Sequence, residues 1–595
     1  MRRLNKIQLM LCLLALMEGM PLGYLQAQSS STNFVLFLVD DFGWGALSSM
    51  GSRFHETPNI DRLLEQGVYF TSGYAASAVC SPSRAALLTG RYPARLHLTD
   101  WVAGHQRPTA QLSVPDWRMY IEHQRVTVAE ALKEHGYQTG FFGKWHLIPY
   151  MDADRKDLHG PESHGFDLNV GGCEWGQPKG PGKYFYPWAM PNLEGKPGDY
   201  LTDRLTDYAA DFLRQNQNNP FLLYFSYYTV HSPFIAKPEL VDKYTRKQRT
   251  GDFEAFDPTY AAMVESLDQS VGRIMETLEV LGLDKNTVII FTADNGAVST
   301  LHCGGLKGSK AFSYEGGTRE PLIIKGPGIE PAICEIPVIG MDLYPTMLEL
   351  AGLPSQPEEH VDGVSLVPLL SAGGAISERS LFWHYPHYHK TYPYGAVRRG
   401  DWKLIEFFED QSVELYNLIH DPSEQRNLAE KQPVRAQALL SELEAWRVEV
   451  GAQLMLPNPE RLKPLDEIAL NTLKVTASSS QPGNEPRGAF DYDSSSRWAA
   501  ADWSFPQSLS VTYTEPRAAS AVQVEFWRDT VTRYTIEVQN SLGRWSMLTD
   551  QRMNAKKQKV WTHPVSESVT AIRINVLGAK KGWASISDIR LLTSL

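Results

Sequence analysis

The sequence predicts an α/β domain on a mostly parallel sheet flanked by helices, then a small antiparallel unit, then an all-β sandwich. Three observations carry this. Phe34–Val39 is a continuous apolar run, the pattern of a strand buried on both faces of a parallel sheet. Comparable runs at Thr139–Phe142, Phe221–Phe225 and Val288–Thr292 alternate with helical segments such as Thr127–His135 and Ala261–Leu281, the order of an α/β fold. From about Leu473 the pattern becomes short alternating segments, Ser508–Tyr513, Ala521–Trp527, Arg533–Val538 and Ala571–Val576, divided by turn residues, as in a β-sandwich.

A chain of 595 residues exceeds a single core, and 43% hydrophobic with 21% charged residues is a globular composition. Residues 1–27 read as a secretory signal peptide. Arg2, Arg3 and Lys6 precede an apolar run, Ile7–Met17, too short to span a bilayer, and small residues near Ala27 offer a cleavage point. The expected destination is the periplasm or exterior of a bacterial cell. Removing this segment takes away three cations and one anion, moving the net charge from −11 to −13. Such a protein has no general attraction for nucleic acid or anionic membranes, and no other run is long enough for a membrane span. Cys80, Cys173, Cys303 and Cys334 then remain. They form no disulfide framework and no zinc spacing, although one disulfide among the last three stays open.

Each strand of the α/β domain is followed by charged or ligating residues. Asp40 and Asp41 follow the first, Lys144 and His146 the second, His231 the third, and Asp294 with Asn295 the fourth. Ligands of open α/β sheets bind outside the carboxyl ends of the strands, so these groups are expected to share one pocket. Asp40, Asp41, Asp294 and Asn295 offer only oxygen, which suits Ca²⁺ or Mg²⁺. Ca²⁺ is the expected ion, because its looser coordination accepts such a crowd plus a substrate oxygen.

One further stretch organises the rest. In Cys80-Ser81-Pro82-Ser83-Arg84, followed by Ala85-Ala86-Leu87-Leu88-Thr89-Gly90-Arg91, Pro82 suits a first helical turn. Cys80 is thus expected just ahead of a helix N-terminus, a place for a thiolate or an oxyanion. The run Cys80-x-Pro-x-Arg84 with Leu88-Thr89-Gly90-Arg91 resembles the signature of the type I sulfatases. Gly143-Lys144-Trp145-His146, His231-Ser232-Pro233 and Gly308-Ser309-Lys310 before Tyr314-Glu315-Gly316-Gly317 are similar to further motifs of that family. The resemblance runs from about Asn33 to Glu430.

The resemblance implies a mixed, largely parallel, alkaline-phosphatase-like sheet. It implies that a maturation enzyme converts Cys80 to formylglycine, whose hydrate attacks sulfur and whose second hydroxyl then expels sulfate. It places the modified Cys80 with Asp40, Asp41, Asp294 and Asn295 around the calcium ion. Arg84, Lys144, His146, His231 and Lys310 become the catalytic and sulfate-binding groups, with His231 or Lys310 protonating the leaving oxygen and His146 deprotonating the second hydroxyl.

Ala396–Ile405 reads as strand, turn, strand, Glu414–Leu418 as a further strand, and Pro433–Val450 as a helix. With Asp421-Pro422-Ser423-Glu424-Gln425-Arg426-Asn427-Leu428 this resembles the small subdomain that closes sulfatase domains. Ala489–Trp498 is similar to a turn of discoidin-like domains, which often bind sugars. The expected layout is a signal peptide at 1–27, the catalytic domain at 28–379, its subdomain at 380–465 and a discoidin-like sandwich at 473–595, with the Pro-rich run Leu456–Pro464 as linker.

The expected substrate is a sulfated glycan. His105, Arg107, His384 and His387 are the candidate sugar contacts, because they lie in ring- and imidazole-rich stretches outside the signature motifs. Two alternatives remain at this point: a phosphodiesterase or phosphonate monoester hydrolase of the same superfamily, and a glycan-binding protein without catalysis.

Overall fold

The computed structural model describes residues 31–104, 110–149, 156–371, 373–458, 463–464, 473–481, 483–490, 496–502, 504–528, 530–566, 568–580 and 583–593. They fall into two compact units, one within 1–105 and 116–454, the other within 106–115 and 455–595.

The first unit is built on nine strands: β1 (Asn33–Val39), β2 (Val68–Tyr74), β3 (Gln138–Gly143), β4 (Leu168–Val170), β5 (Phe221–Ser226), β6 (Thr287–Ala293), β7 (Arg319–Lys325), β8 (Ala332–Cys334) and β9 (Val338–Ile339). Their order is β9-β2-β7-β6-β1-β5-β3-β4, with β8 beside β2. The run β6-β1-β5-β3-β4 is parallel, and β7 runs antiparallel to both β2 and β6. The sheet is largely parallel, as the apolar runs imply, and mixed, as the resemblance implies.

Those runs are continuous because both faces of the sheet are covered. Val35, Phe37 and Val39 pack with helices α3 (Leu201–Gln215) and α4 (Pro258–Leu281). Phe34, Leu36 and Leu38 pack on the other face with α1 (Cys80–Thr89) and α2 (Val128–Lys133). A strand that alternates faces must then be apolar at every position, and each such side chain contributes about 1.5–3 kcal/mol of burial. Helix α2 starts one residue later than its pattern suggests because Thr127 is its cap. The Thr127 hydroxyl accepts from the Glu130 amide at 3.2 Å, and the Glu130 carboxylate accepts from the Thr127 amide at 2.7 Å.

Register brings the strand ends level. Val39 stands beside Ala293, Leu38 beside Ser226, and Ser226 beside Gly143. The residues that leave the sheet next therefore start from one edge.

A second, antiparallel sheet follows in the same unit: β10 (Ser380–Tyr385), β11 (Tyr394–Arg399), β12 (Trp402–Phe407) and β13 (Val413–Asn417). Helix α5 (Pro433–Val450) covers it through Leu439, Leu443, Trp446 and Val450, and the same cluster takes in Tyr74, Tyr92 and Ala94 of the first layer. The seam also holds a buried ion cluster. The Lys403 ammonium, fully buried, lies 2.9 Å from Glu315 and 3.2 Å from Glu424. Tyr74 adds a 2.6 Å hydrogen bond to Glu315. Removing one member of such a cluster strands the others without solvent. Lys403→Met is expected to destabilise the protein by about 3–5 kcal/mol, read as a lower urea midpoint with an unchanged slope.

The second unit packs two antiparallel sheets. One has the order Leu473–Ala477, Gln507–Arg517, Val569–Ala579, Thr532–Asn540, Trp545–Asp550. The other has Lys463–Pro464, Ser585–Thr593, Ala521–Phe526 and Val560–Pro564, with Trp498–Ala499 also pairing Ser585–Thr593. Trp498 is in the core and donates to the Ser479 carbonyl at 2.9 Å. The stretch read as a Pro-rich linker is different in the structure. Leu456–Pro457 pairs with Leu112–Ser113, and Lys463–Pro464 pairs with Leu592 and Thr593. Proline is tolerated there because these are edge positions that need no donor.

Candidate active site

At the carboxyl edge, β1 delivers Asp40 and Asp41, β6 delivers Asp294 and Asn295, and β3 delivers Lys144 and His146. The loop after β5 carries His231. Helix α1 opens on Cys80 itself, with Val79 as its N-cap, one residue earlier than the proline suggests. Lys310 enters on a loop stitched at both ends: its amide bonds Ala297, and the Ala311 amide bonds Ala78, each at 2.8 Å.

With Arg84 of α1, these ten residues form one cluster, and all but His231 are buried. Lys144 donates to both oxygens of Asp40, at 2.9 and 2.8 Å. Arg84 grips Asp294 through Nε at 2.8 Å and Nη2 at 2.6 Å, and its Nη1 bonds Ser226 Oγ and the Lys144 carbonyl. Lys310 Nζ lies 2.6 Å from Asp41 Oδ1. Lys307, the nearby lysine, turns away to the Tyr416 hydroxyl at 3.1 Å.

Asp41 and His146 both sit at positive φ, 56° and 61°, at a cost of roughly 1–3 kcal/mol each. Asp41 is held there by its amide, which donates to Asp294 Oδ1 at 3.2 Å. His146 is held through its ring. Nε2–H donates to the Val102 carbonyl at 2.6 Å, so the lone pair on Nδ1 faces Cys80 Sγ at 3.3 Å. Ser81 Oγ locks the same corner, donating to the His146 carbonyl and accepting from the Val102 amide. Gly176 lies against the ring: a Cβ there would stand 2.5 Å from His146 Cε1. Ser226, the Ser81 hydroxyl, Val102 and Gly176 carry no pattern in the sequence that singles them out.

The electrostatics follow from burial. Burial raises the Asp40 and Asp294 carboxyls, and their carboxylate neighbours add to this against Lys144 and Arg84. Burial would raise Asp41 too, but Lys310, His231 and Lys144 outweigh it and hold it low. Burial lowers His146 well below the usual imidazole range and takes His231 down to about 3. Burial also raises the Cys80 thiol, outweighing Lys144 and Lys310. The thiolate expected at the helix start is thus not favoured, and the sulfur stands as a neutral S–H towards His146.

The donor set suits a hard cation. Asp41 Oδ2 and Asn295 Oδ1 are buried oxygens that accept no hydrogen bond, although His231 Nε2 lies 3.5 Å from the former. Ligand atoms of Asp40, Asp41 and His231 lie within 4.8 Å of one another. Three carboxylates also face three fixed cations, Arg84, Lys144 and Lys310, so a sulfate ester entering the pocket would bring a charge that nothing yet balances.

The expected sugar contacts lie elsewhere. His105 and Arg107 are outside the described residues. His384 on β10 is buried, with Nε2 donating to the Gln453 carbonyl at 2.8 Å. His387 is fully buried, 2.8 Å from Thr99 Oγ1 and 3.8 Å from Asp100, which also accepts from Tyr385. His387 is fully buried and His384 nearly so, so neither ring stands free at the surface as the expectation requires. Thr99 and Asp100 lead into Val102, which holds His146. Alanine at His387 is therefore expected to lower turnover of a glycan and of a small aryl sulfate by the same factor, about tenfold. A loss confined to the glycan would restore the sugar-contact reading.

Comparison with known proteins agrees with this geometry. The Sulfatase family model matches residues 32–353, the span that holds all ten clustered residues. The chain belongs to the sulfatase family. It is a sulfuric ester hydrolase. An N-sulphoglucosamine sulphohydrolase C-terminal model matches residues 308–449, and an F5/8 type C domain model matches residues 474–589. A sulfatase of Formosa agariphila is 32% identical over 71% of this chain and 89% of its own length. The N-acetylgalactosamine-6-sulfatase of Canis lupus familiaris is 35% identical over 59% of this chain and 68% of its own. Among solved structures, Ps i-CgsB in complex with k-i-k-neocarrahexaose superposes with a TM-score of 0.59 at 27% identity, covering 70% of this chain and 93% of that one. Among the described residues no helix is long and apolar enough to cross a membrane, and Cys80, Cys173, Cys303 and Cys334 are free.

Proposed function

We propose that this sulfatase is exported and hydrolyses sulfate esters of a glycan, with Cys80 oxidised to formylglycine and Ca²⁺ held by Asp40, Asp41, Asp294 and Asn295. One observation carries the reading: the Cys80 side chain, a neutral base and three fixed cations share one buried pocket with an unsatisfied oxygen set. Bound there, the ion supplies positive charge and Lewis acidity at a sulfate oxygen. As formylglycine hydrate, residue 80 supplies one hydroxyl to attack sulfur and a second to expel sulfate.

The chain's own residues do the rest. His146, kept neutral by burial and oriented by Val102, accepts a proton at Nδ1 beside residue 80. Lys310 and Lys144, each paired with a carboxylate, neutralise sulfate oxygens as charge develops. His231, the most exposed of the set, or Lys310, charged beside Asp41, protonates the leaving sugar oxygen. Cys80 is only 2% exposed, so the maturation enzyme must act on the chain before it folds.

The name of the N-acetylgalactosamine-6-sulfatase relative supports galactose or N-acetylgalactosamine sulfate as the substrate. A panel of sulfated mono- and disaccharides, run beside an aryl phosphodiester, tests both levels. Sulfate release is expected from a galacto-configured sugar. Faster turnover of the phosphodiester than of every sulfate ester would replace the sulfatase reading with the phosphodiesterase one.

A further inference from the structure

The stretch that was expected to meet the sugar exposes its polar groups a little beyond His384 and His387. Between β10 and β11 the chain makes a loop, residues 386–393. Both ends of the loop are pinned. The buried Tyr388 donates its hydroxyl to Glu409 at 2.5 Å, and the Phe408 amide donates to the Pro393 carbonyl at 2.9 Å. The tip between them carries Lys390 and Tyr392, both exposed.

This tip reaches the catalytic pocket by two routes. Lys390 Nζ donates to the Val298 carbonyl at 3.3 Å. Val298 lies in the segment that leaves β6 with Asp294 and Asn295, and its neighbour Ala297 accepts from the Lys310 amide at 2.8 Å. On the other side Trp101 stands between tip and base, its ring centroid 6.4 Å from that of His389 and 6.4 Å from that of His146. Partial burial of the Lys390 ammonium lowers it from the ordinary lysine value, and it is near enough for Asp41 to favour its charge and Lys310 to oppose it.

A lysine at a rim is often only a solvated charge. Two features set Lys390 apart. Arg84, Lys144 and Lys310 are each paired with a carboxylate, whereas Lys390 meets a carbonyl and no carboxylate among the described residues. It also sits on a pinned loop, so less freedom is lost when it takes a ligand. Its charge is additional to the group that handles the scissile sulfate, so it is placed for an anion that the substrate carries besides that sulfate. Tyr392 adds an exposed ring of the kind that accepts the C–H face of a sugar.

We propose that Lys390 sets substrate preference by binding a second anionic group, a carboxylate or a further sulfate, on the sulfated sugar or on the sugar linked to it. The inference rests on reading the chain as an enzyme of sulfated glycans, and it narrows the substrate class to doubly charged ones. The test substrates are 4-nitrophenyl sulfate, galactose 6-sulfate, galactose 4,6-disulfate and galactose 6-sulfate linked to glucuronic acid. KM is expected to be lower for one or both doubly charged sugars than for galactose 6-sulfate, and the two tell sulfate from carboxylate. Lys390→Ala is expected to raise that KM about tenfold at unchanged kcat, and to leave both singly charged substrates as they were. Lys390→Arg should keep most of the preference. Added salt should raise the same KM more steeply in the unaltered protein than in Lys390→Ala. Equal losses on all four substrates, no preference for either doubly charged sugar, or a preference that survives Lys390→Ala would overturn the proposal. Calorimetric titration of the Cys80→Ala protein with the two doubly charged sugars keeps the two readings apart. Binding that weakens with Lys390→Ala, in a protein that releases no sulfate, would sink the catalytic reading and leave this one standing.

Discussion

Sulfate release falls by roughly four orders of magnitude or more when Cys80 is replaced by alanine, as expected for loss of a covalent nucleophile. Folding should survive, because the change removes one atom from a side chain packed at the first turn of α1, a cost of about 1 kcal/mol. Serine at the same position separates two explanations. Its single hydroxyl, beside His146 Nδ1, could take up sulfate once, but it has no second hydroxyl to expel the product. Cys80→Ser is therefore expected to be no better than alanine in steady state, with at most one sulfate bound per enzyme. Mass analysis of the peptide containing residue 80 should show the aldehyde in active protein. Unmodified cysteine in protein of full activity would remove the formylglycine mechanism altogether.

Chelation is expected to lower activity at least a hundredfold, with recovery on titrating Ca²⁺ and poorer recovery with Mg²⁺. The reason is the charge balance of the pocket: three carboxylates against Arg84, Lys144 and Lys310, with burial raising Asp40 and Asp294. Those charges cancel, so a divalent ion would balance the charge that an entering sulfate ester brings, and it would satisfy Asp41 Oδ2 and Asn295 Oδ1. Binding to the folded state alone also stabilises it, by about 2.7 kcal/mol when the ion is at a hundred times its Kd. The melting temperature should therefore rise with Ca²⁺ in the Cys80→Ala protein as well, a readout independent of turnover. Asn295→Ala should blunt that rise. Full activity in exhaustively metal-free protein would rule the ion out of the reaction.

Much of the catalytic pocket was legible beforehand. A strand covered on both faces has no polar position to spare, so β1, β3, β5 and β6 are visible as unbroken apolar runs, and the residue types that follow each run are visible too. The helix from Pro433 to Val450 and three strands of the four-stranded sheet were similarly marked by local pattern, while Ser380–Tyr385 was not read as a strand. The boundaries were less secure at Leu456–Pro464, where proline suggested a linker. Pairing with Leu112–Ser113 and with Leu592 and Thr593 joins residues far apart in the chain, and no local signal records it.

The sequence by itself determined the chemical inventory: Cys80 at a helix start, four oxygen donors, three fixed cations and two imidazoles, placed after strands of one parallel sheet. Local periodicity and residue type suffice for the groups at the strand ends and for Cys80 and Arg84, because each is set by a few neighbours along the chain, while Lys310 was picked out by the resemblance to sulfatase motifs. Only the tertiary structure decided how the inventory is aimed. It turned His146 Nδ1 towards Cys80 by giving Nε2–H the Val102 carbonyl, left the Cys80 thiol neutral by burying it, and brought Ser226 onto Arg84. It also withdrew His384 and His387 from solvent and set Lys390 against the Val298 carbonyl. Orientation and desolvation depend on contacts between distant segments, and these exist only once the chain has folded.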